Sequence, residues 1–275
     1  ANDVDAIHVF ASSPIATITP TDTGDPSLTP TETPGVTATF THTPTSPVGP
    51  SPTSTRTATP SNTPSGSDLI FADGFESGNL SAWTSATADS GDLSISSISA
   101  LVGSQGLQAV IDDSKTIYVN DDSPNAEPRY RVRFYFDPNS IAMASGDAHF
   151  IFKGFTGTST DILQVDFRSS SGAYQIRAKV LNDSSSFVNT NWFVISDAPH
   201  SIELDWRAAT GPGANNGGLT LWIDSNQVAD FTNVDNDTWR VDHIRLGAVG
   251  GVDAGTRGPY YFDALESRRL NYIGP

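Results

Sequence analysis

Few residues of this chain could do chemistry, and their spacing narrows what that chemistry could be. Glu203 and Asp205 stand two apart in Glu203-Leu204-Asp205-Trp206-Arg207, and on a strand that spacing turns both carboxylates to one face. Paired carboxylates about 5 Å apart are what retaining glycoside hydrolysis needs, one as nucleophile and one as acid/base. The next position on that face is Arg207, a cation. The plainer reading is therefore an exposed strand face with an internal charge pair. His8, His42, His149, His200 and His243 are scattered, with no pair three or four apart to hold a metal. No nucleophile elbow, phosphate loop or dinucleotide fingerprint occurs. These absences point away from an enzyme.

Hydroxyl groups are the most distinctive feature. From Thr17 to Pro64 every threonine falls on an odd position, and nine of the ten prolines fall on even ones. A period of two gives an extended chain two faces, here one of hydroxyls and one of proline with scattered hydrocarbon. Thr19, Thr21, Thr23, Thr29, Thr31, Thr33, Thr37, Thr39, Thr41, Thr43, Thr45, Thr53, Thr55, Thr57, Thr59 and Thr63 are the expected sites of O-linked sugars. Such sugars would keep the backbone extended and shield it. Copying of short Thr-Pro units into a floppy, mucin-like spacer would leave the same parity, and both readings stand on the sequence. A tract this poor in hydrocarbon cannot fold on itself, so order in it requires neighbouring subunits, attached sugars, or both.

Ahead of the tract, Ala6 to Ala11 and Ile15 to Ile18 are apolar on both parities, the pattern of a strand buried on both faces. Ile7, Val9, Phe10, Ile15 and Ile18 are the expected assembly contacts, by strand addition to another subunit. At about 3.3 Å per residue the tract spans roughly 160 Å, whereas a domain of the remaining residues has a radius of gyration near 17 Å. That reach favours neighbours over self-completion, and a head-to-tail contact that does not close makes a filament. The chain divides into a docking segment (1–18), an extended tract (19–67) and a globular domain (68–275).

Composition sets the bounds. The 275 residues carry a net charge of −16, which argues against nucleic acid and anionic membranes as partners. No stretch is long and apolar enough to span a bilayer. With no cysteine, the domain stands on packing, with metal ions as an addition. The opening Ala-Asn-Asp has no basic and apolar leader, consistent with a processed secreted chain or simply with where this piece begins.

From Asp68 onward, short alternating strands repeat. Tyr130, Val132, Phe134 and Phe136 alternate with arginines and Tyr135; Leu163, Val165 and Phe167 alternate with Gln164, Asp166 and Arg168. Tyr174 to Val180, Ile202 to Trp206, Leu219 to Ile223, Ile244 to Leu246 and Tyr260 to Glu266 continue the pattern, with clusters such as Gly211 to Gly218 between. Roughly a dozen strands and no helical period predict an all-β, two-sheet jelly-roll sandwich.

Phe71-Ala72-Asp73-Gly74-Phe75-Glu76-Ser77-Gly78-Asn79-Leu80-Ser81-Ala82-Trp83 resembles the opening of secreted bacterial concanavalin A-like (laminin-G-like) sandwich domains, as do Ser201 to Trp206, Leu219 to Asp224 and the closing Tyr261 to Arg268. The resemblance covers about 68–268 and is specific for fold more than for function. Tail and sandwich together resemble environmental extracellular fibrils sheathed in glycan. In such sandwiches the first and last strands lie side by side and often share calcium, which implies Asp73, Glu76 and Asp263 as its ligands. The laminarinase-type hydrolases of this fold carry their acids on the strand matched by Glu203 to Arg207. Trp222 lies on the opposite parity from Leu219, Leu221 and Ile223. Exposed, it would serve as an interface anchor or, second, as a platform for a sugar ring. Asn79, Asn182 and Asn236 sit in N-glycosylation sequons. The expected function is a non-enzymatic subunit of a glycosylated extracellular filament, whose partners are copies of itself and glycans. The alternative is a carbohydrate-binding or adhesin module on a mucin-like linker.

Overall fold

The computed structural model describes Ser67 to Pro275. The docking segment with Ile7, Val9, Phe10, Ile15 and Ile18, and the tract threonines from Thr19 to Thr63, lie outside the described residues. Alternation of apolar and polar side chains produces sixteen strands among the described residues. In chain order they are β1 (Leu69–Asp73), β2 (Ser85–Thr87), β3 (Leu93–Ser96), β4 (Gly106–Ile111), β5 (Ile117–Asp121) and β6 (Arg129–Asp137). Next come β7 (Ala148–Thr156), β8 (Thr160–Ser170), β9 (Ala173–Leu181), β10 (Phe187–Asn189) and β11 (Phe193–Ile195). The last five are β12 (His200–Arg207), β13 (Gly217–Ile223), β14 (Asn226–Val234), β15 (His243–Gly250) and β16 (Gly258–Arg268).

These strands build the expected sandwich of two antiparallel sheets. The first has the order β14-β13-β12-β6-β16-β4-β3, with β1 also on β16; the second has the order β10-β9-β8-β7-β15-β5-β2, with β11 also on β9. The count exceeds the dozen expected because β2, β3, β10 and β11 are three or four residues long, too short for alternation to register. The inner faces are those the period of two selects. Tyr130, Val132, Phe134, Phe136, Val165, Phe167, Ile202, Leu204 and Trp206 are all fully buried. Aromatic pairs join the layers, Phe134 on Phe152 at 5.6 Å and Phe136 edge-on to Phe167 at 4.9 Å between ring centres.

The outer faces differ from expectation. The polar residues of the alternation were expected in water, yet Asp205 is 1% exposed, Glu203 3% and Arg131 5% on the first sheet. On the second, Gln164 and Asp166 are equally buried. A buried polar group must find a partner, so each outer face carries a network of its own.

Candidate functional site

On the first sheet that network is ionic. Register places Asp205 opposite Arg131 and Glu203 opposite Arg133. Asp205 accepts from Arg129 Nε and Nη2 (2.9 and 2.8 Å), Arg131 Nη2 (2.7 Å) and Arg207 Nη1 (2.9 Å). Glu203 accepts from Arg131 Nη1 at 2.9 Å and from the backbone N–H groups of Ile273 and Gly274. The expected charge pair is thus present and larger, but its face is covered by the chain's C-terminal residues rather than open. Trp222 sits on this face as its parity requires, and it is half-buried. Tyr272 packs on it at 5.5 Å and the Arg131 guanidinium lies 5.1 Å from its ring centre. The chain's own tail therefore takes up much of the tryptophan expected to be exposed.

Asp73, Glu76 and Asp263 organise a corner of the domain. Asp73 accepts from Phe75 N (3.0 Å) and Trp83 Nε1 (2.8 Å). It thereby fixes a left-handed Phe75 (φ 59°) whose ring stacks on Trp83 at 5.9 Å. Asp263 Oδ2 accepts from Leu101 N and Val102 N, both at 2.8 Å, and Oδ1 accepts from Ala264 N. Burial raises the Asp263 carboxyl above its ordinary range, and these three donors pull the other way. Glu76 accepts from Ser104 Oγ, Ser104 N and Gln105 N, which lowers its carboxyl. It crosses Gly103 (φ +74°), where a Cβ would fall 2.2 Å from Glu76 Oε1. Two acids thus clamp the 101–105 loop against β16. The three are not among the acidic trios whose oxygens converge. Among the described residues the carboxylate trios that do converge are Asp89, Asp112, Asp113 and Asp183, Asp235, Asp237.

The sequons also separate. Asn79 is exposed and Asn182 half-buried. Asn236 is wholly buried, its amide accepting from Ala209 N and donating to Arg207 O, so the folded domain leaves no room for a sugar there.

Sequence reasoning missed one hydrogen-bonded chain, Ser196 Oγ to His200 Nε2 (2.9 Å) and His200 Nδ1 to Asp224 Oδ2 (2.6 Å). The connectivity is that of a nucleophile, a base and an orienting acid. However, the Ser196 backbone N–H points at the same Nε2, at 3.1 Å, so it is not free to face a developing oxyanion. The group closes the 196–200 turn.

The outer face of the second sheet is different. Residues opposed in register form a row across the whole sheet: Ser85, Asn120, Arg245, Lys153, Gln164, Lys179 and Asn189. Every member carries a hydrogen-bonding group. With strands about 4.8 Å apart, six steps make a track roughly 29 Å long. Beside this row Tyr118 opposes Gly247, and past a bulge in β15 Gly250, Phe150, Asp166 and Arg177 oppose one another in turn; on the other side His243 opposes Phe155. Gly247 (φ +133°) admits no side chain, since a Cβ would fall 2.4 Å from Ile117 O. The floor beside Tyr118 is therefore open. At the β5 end, Ser85, Tyr118, Asn120, Thr158, His243 and Arg245 line a cleft of about 410 Å³. His243 stacks on Phe155 at 4.5 Å, and burial, then the Arg245 guanidinium, hold it below the usual imidazole range.

No protein-family description matches the chain, and no curated protein is significantly similar to it. Solved structures are similar to it in fold. The botulinum neurotoxin serotype D ligand binding domain in complex with N-acetylneuraminic acid gives a TM-score of 0.52 at 10% identity, over 75% of this chain and 48% of that one. A mutant of the alginate lyase Aly36B in complex with alginate tetrasaccharide gives 0.51 at 14%, over 74% and 94%. The globular domain of T. cruzi calreticulin gives 0.51 at 11%, over 74% and 88%. The chain spans about half the length of the toxin domains it matches. At these identities the likeness is one of fold.

Proposed function

We propose that the described domain is a non-enzymatic module that binds a saccharide chain laid across the outer face of its second sheet. The observation that carries this reading is the transverse row from Ser85 to Asn189. Amide, hydroxyl and cationic groups recur there at the strand spacing, a period suited to successive sugar residues. The cleft at its β5 end has the size of a small-ligand site. Structures of like fold hold N-acetylneuraminic acid and an alginate tetrasaccharide, which supports a sugar as occupant. Ion pairs cross both outer faces, and the first sheet's is also covered by the C-terminal residues Tyr272 to Gly274.

Affinity electrophoresis of the full chain against soluble polysaccharides tests the reading. At least one polysaccharide is expected to retard it. A Ser85→Ala, Asn189→Ala double variant, losing two exposed side-chain hydrogen-bonding groups of the row at about 1 kcal/mol each, is expected to bind roughly tenfold or more weakly. Trp222→Ala, on the other sheet, is expected to leave binding unchanged. No retardation by any polysaccharide would sink the proposal.

The threonine parity favours a second reading that is compatible with the first, in which the arm joins copies of this chain into an extracellular, O-glycosylated filament. Deleting residues 1–18 and imaging by negative stain tests it, since filaments that survived the deletion would remove the docking role.

A further inference from the structure

Resting on the binding role proposed above, we infer that the saccharide accepted by this face is an acidic one, whose anionic group is held by Arg245 in the cleft at the β5 end of the row.

Charge distribution is the first ground. The chain carries −16 overall, yet five of its fifteen Lys and Arg side chains, Arg245, Lys153, Lys179, Arg177 and Arg168, lie on this one face. Asp161, Asp166, Asp122 and Asp242 lie among them, so the face is close to neutral on an acidic protein and repels a polyanion less than the chain's average charge would.

The second ground is how the cations are held. Lys153 Nζ lies 4.0 Å from the Phe150 ring centre, and the Arg245 guanidinium lies 4.6 Å from Tyr118 and 4.8 Å from Phe155. Arg168 and Arg177 lie 3.9 and 4.3 Å from the Trp192 ring centre. Those rings are supports for cations more than bare plates for stacking a neutral pyranose. They keep the guanidinium and ammonium groups in place, which lowers the entropy lost on binding.

Arg245 is singled out by its partners. Lys153 is paired to Asp161 at 2.8 Å, and Lys179 and Arg177 to Asp166 at 2.7 and 2.8 Å. Arg245 makes no ion pair among the described residues, and its Nε reaches Asn120 Oδ1 at 3.3 Å. Two carboxylates also border the cleft and keep their charge, with oxygens turned to neutral protein donors. Asp242 accepts from Ala126 N, Gly157 N and Thr156 Oγ1, and Asp122 accepts from Asn120 Nδ2. A half-buried guanidinium with unused donors, in a cleft of sugar size, matches a carboxylate or sulfate oxygen pair.

The test is isothermal titration of the full chain with polygalacturonate, a sulfated galactan and a neutral β-glucan, each at low and high salt. An acidic chain is expected to bind about tenfold or more tightly than the neutral one, with the preference lost in salt. The acidic chain that binds best identifies the group as carboxylate or sulfate. Arg245→Gln is expected to weaken that binding by about tenfold or more and to weaken the neutral glucan by less, so that the preference for the acidic chain is lost. Arg245→Lys, which keeps the charge, is expected to retain part of it. The salt response of the unaltered protein reads the preference without any risk to folding. Equal affinity for neutral and acidic chains, or an Arg245→Gln variant that binds the acidic chain as before, overturns this inference and leaves the binding role standing. Failure of all three polysaccharides to bind overturns both.

Discussion

Replacing Asp205 by alanine tests whether the first sheet's outer face is structural. Its carboxylate, 1% exposed, accepts four hydrogen bonds at 2.7 to 2.9 Å from three guanidinium groups. Removing it leaves the buried Arg131 only Glu203 and leaves Arg129, 34% exposed, without its bidentate partner. Breaking a buried ion pair from one side costs about 3–5 kcal/mol, because the remaining charge is stranded. In a domain of this size each kcal/mol moves the melting temperature by about 2–4 °C, so a fall of roughly 6–20 °C is expected in scanning calorimetry. Asp205→Asn keeps the shape and two acceptor directions, so it is expected to fall between Asp205→Ala and the parent. Lys115→Ala is the control, because its ammonium pairs with Asp89 and Asp113 on the surface, 64% exposed. Exposed pairs contribute little, and its melting temperature is expected to be unchanged. Polysaccharide binding by the Asp205 variants, measured well below their melting points, is expected to match the parent. An Asp205→Ala protein that melts within about 1 °C of the parent would refute the argument, since the face would then be solvated.

Two further outcomes follow from buried groups. His149 is buried between Tyr260 and Phe167, its Nε2 3.2 Å from Tyr260 Oη, and burial pushes its pKa down to about 4. An unfolded histidine takes up its proton near pH 6.5, so the unfolded state binds more protons between pH 6.5 and 4, and stability falls as pH drops through that window. The loss reaches about 3 kcal/mol by pH 4, and urea midpoints of a His149→Gln variant are expected to show a shallower decline than the parent's over that range. Asn236 is expected to carry no sugar in protein from a glycosylating host, read from the mass of its tryptic peptide. Asn236→Ala is expected to destabilise by about 1–3 kcal/mol, because Ala209 N and Arg207 O lose a buried partner.

The clamp at the 101–105 loop shows how much a motif says before its surroundings are known. The run from Phe71 to Trp83 and the closing Tyr261 to Arg268 were legible as an opening and a closing strand, and β1 and β16 do pair. The chemistry assigned to their acids was not legible. Whether Asp73, Glu76 and Asp263 face an ion or an amide depends on where Leu101 to Gln105 lies, and nothing local to the acids states that. Trp222 repeats the lesson. Its parity named its face correctly, while its cover, Tyr272, comes from beyond the last strand.

Alternation by itself determined which side chains form the core, because a strand's period of two is a local property that survives in any register. Composition likewise determined a net charge of −16, which disfavours nucleic acid. Only the tertiary structure decided which polar residues stand beside one another. Ser85, Asn120, Arg245, Lys153, Gln164, Lys179 and Asn189 come from seven strands scattered over the chain. They form one row because strand order sets their neighbours and the bulges at Phe150–Phe152 and Leu246–Gly250 set their register. A slip of one residue on any strand would turn its member of the row into the core. That dependence on register is a property of pairing, which no single strand's sequence contains.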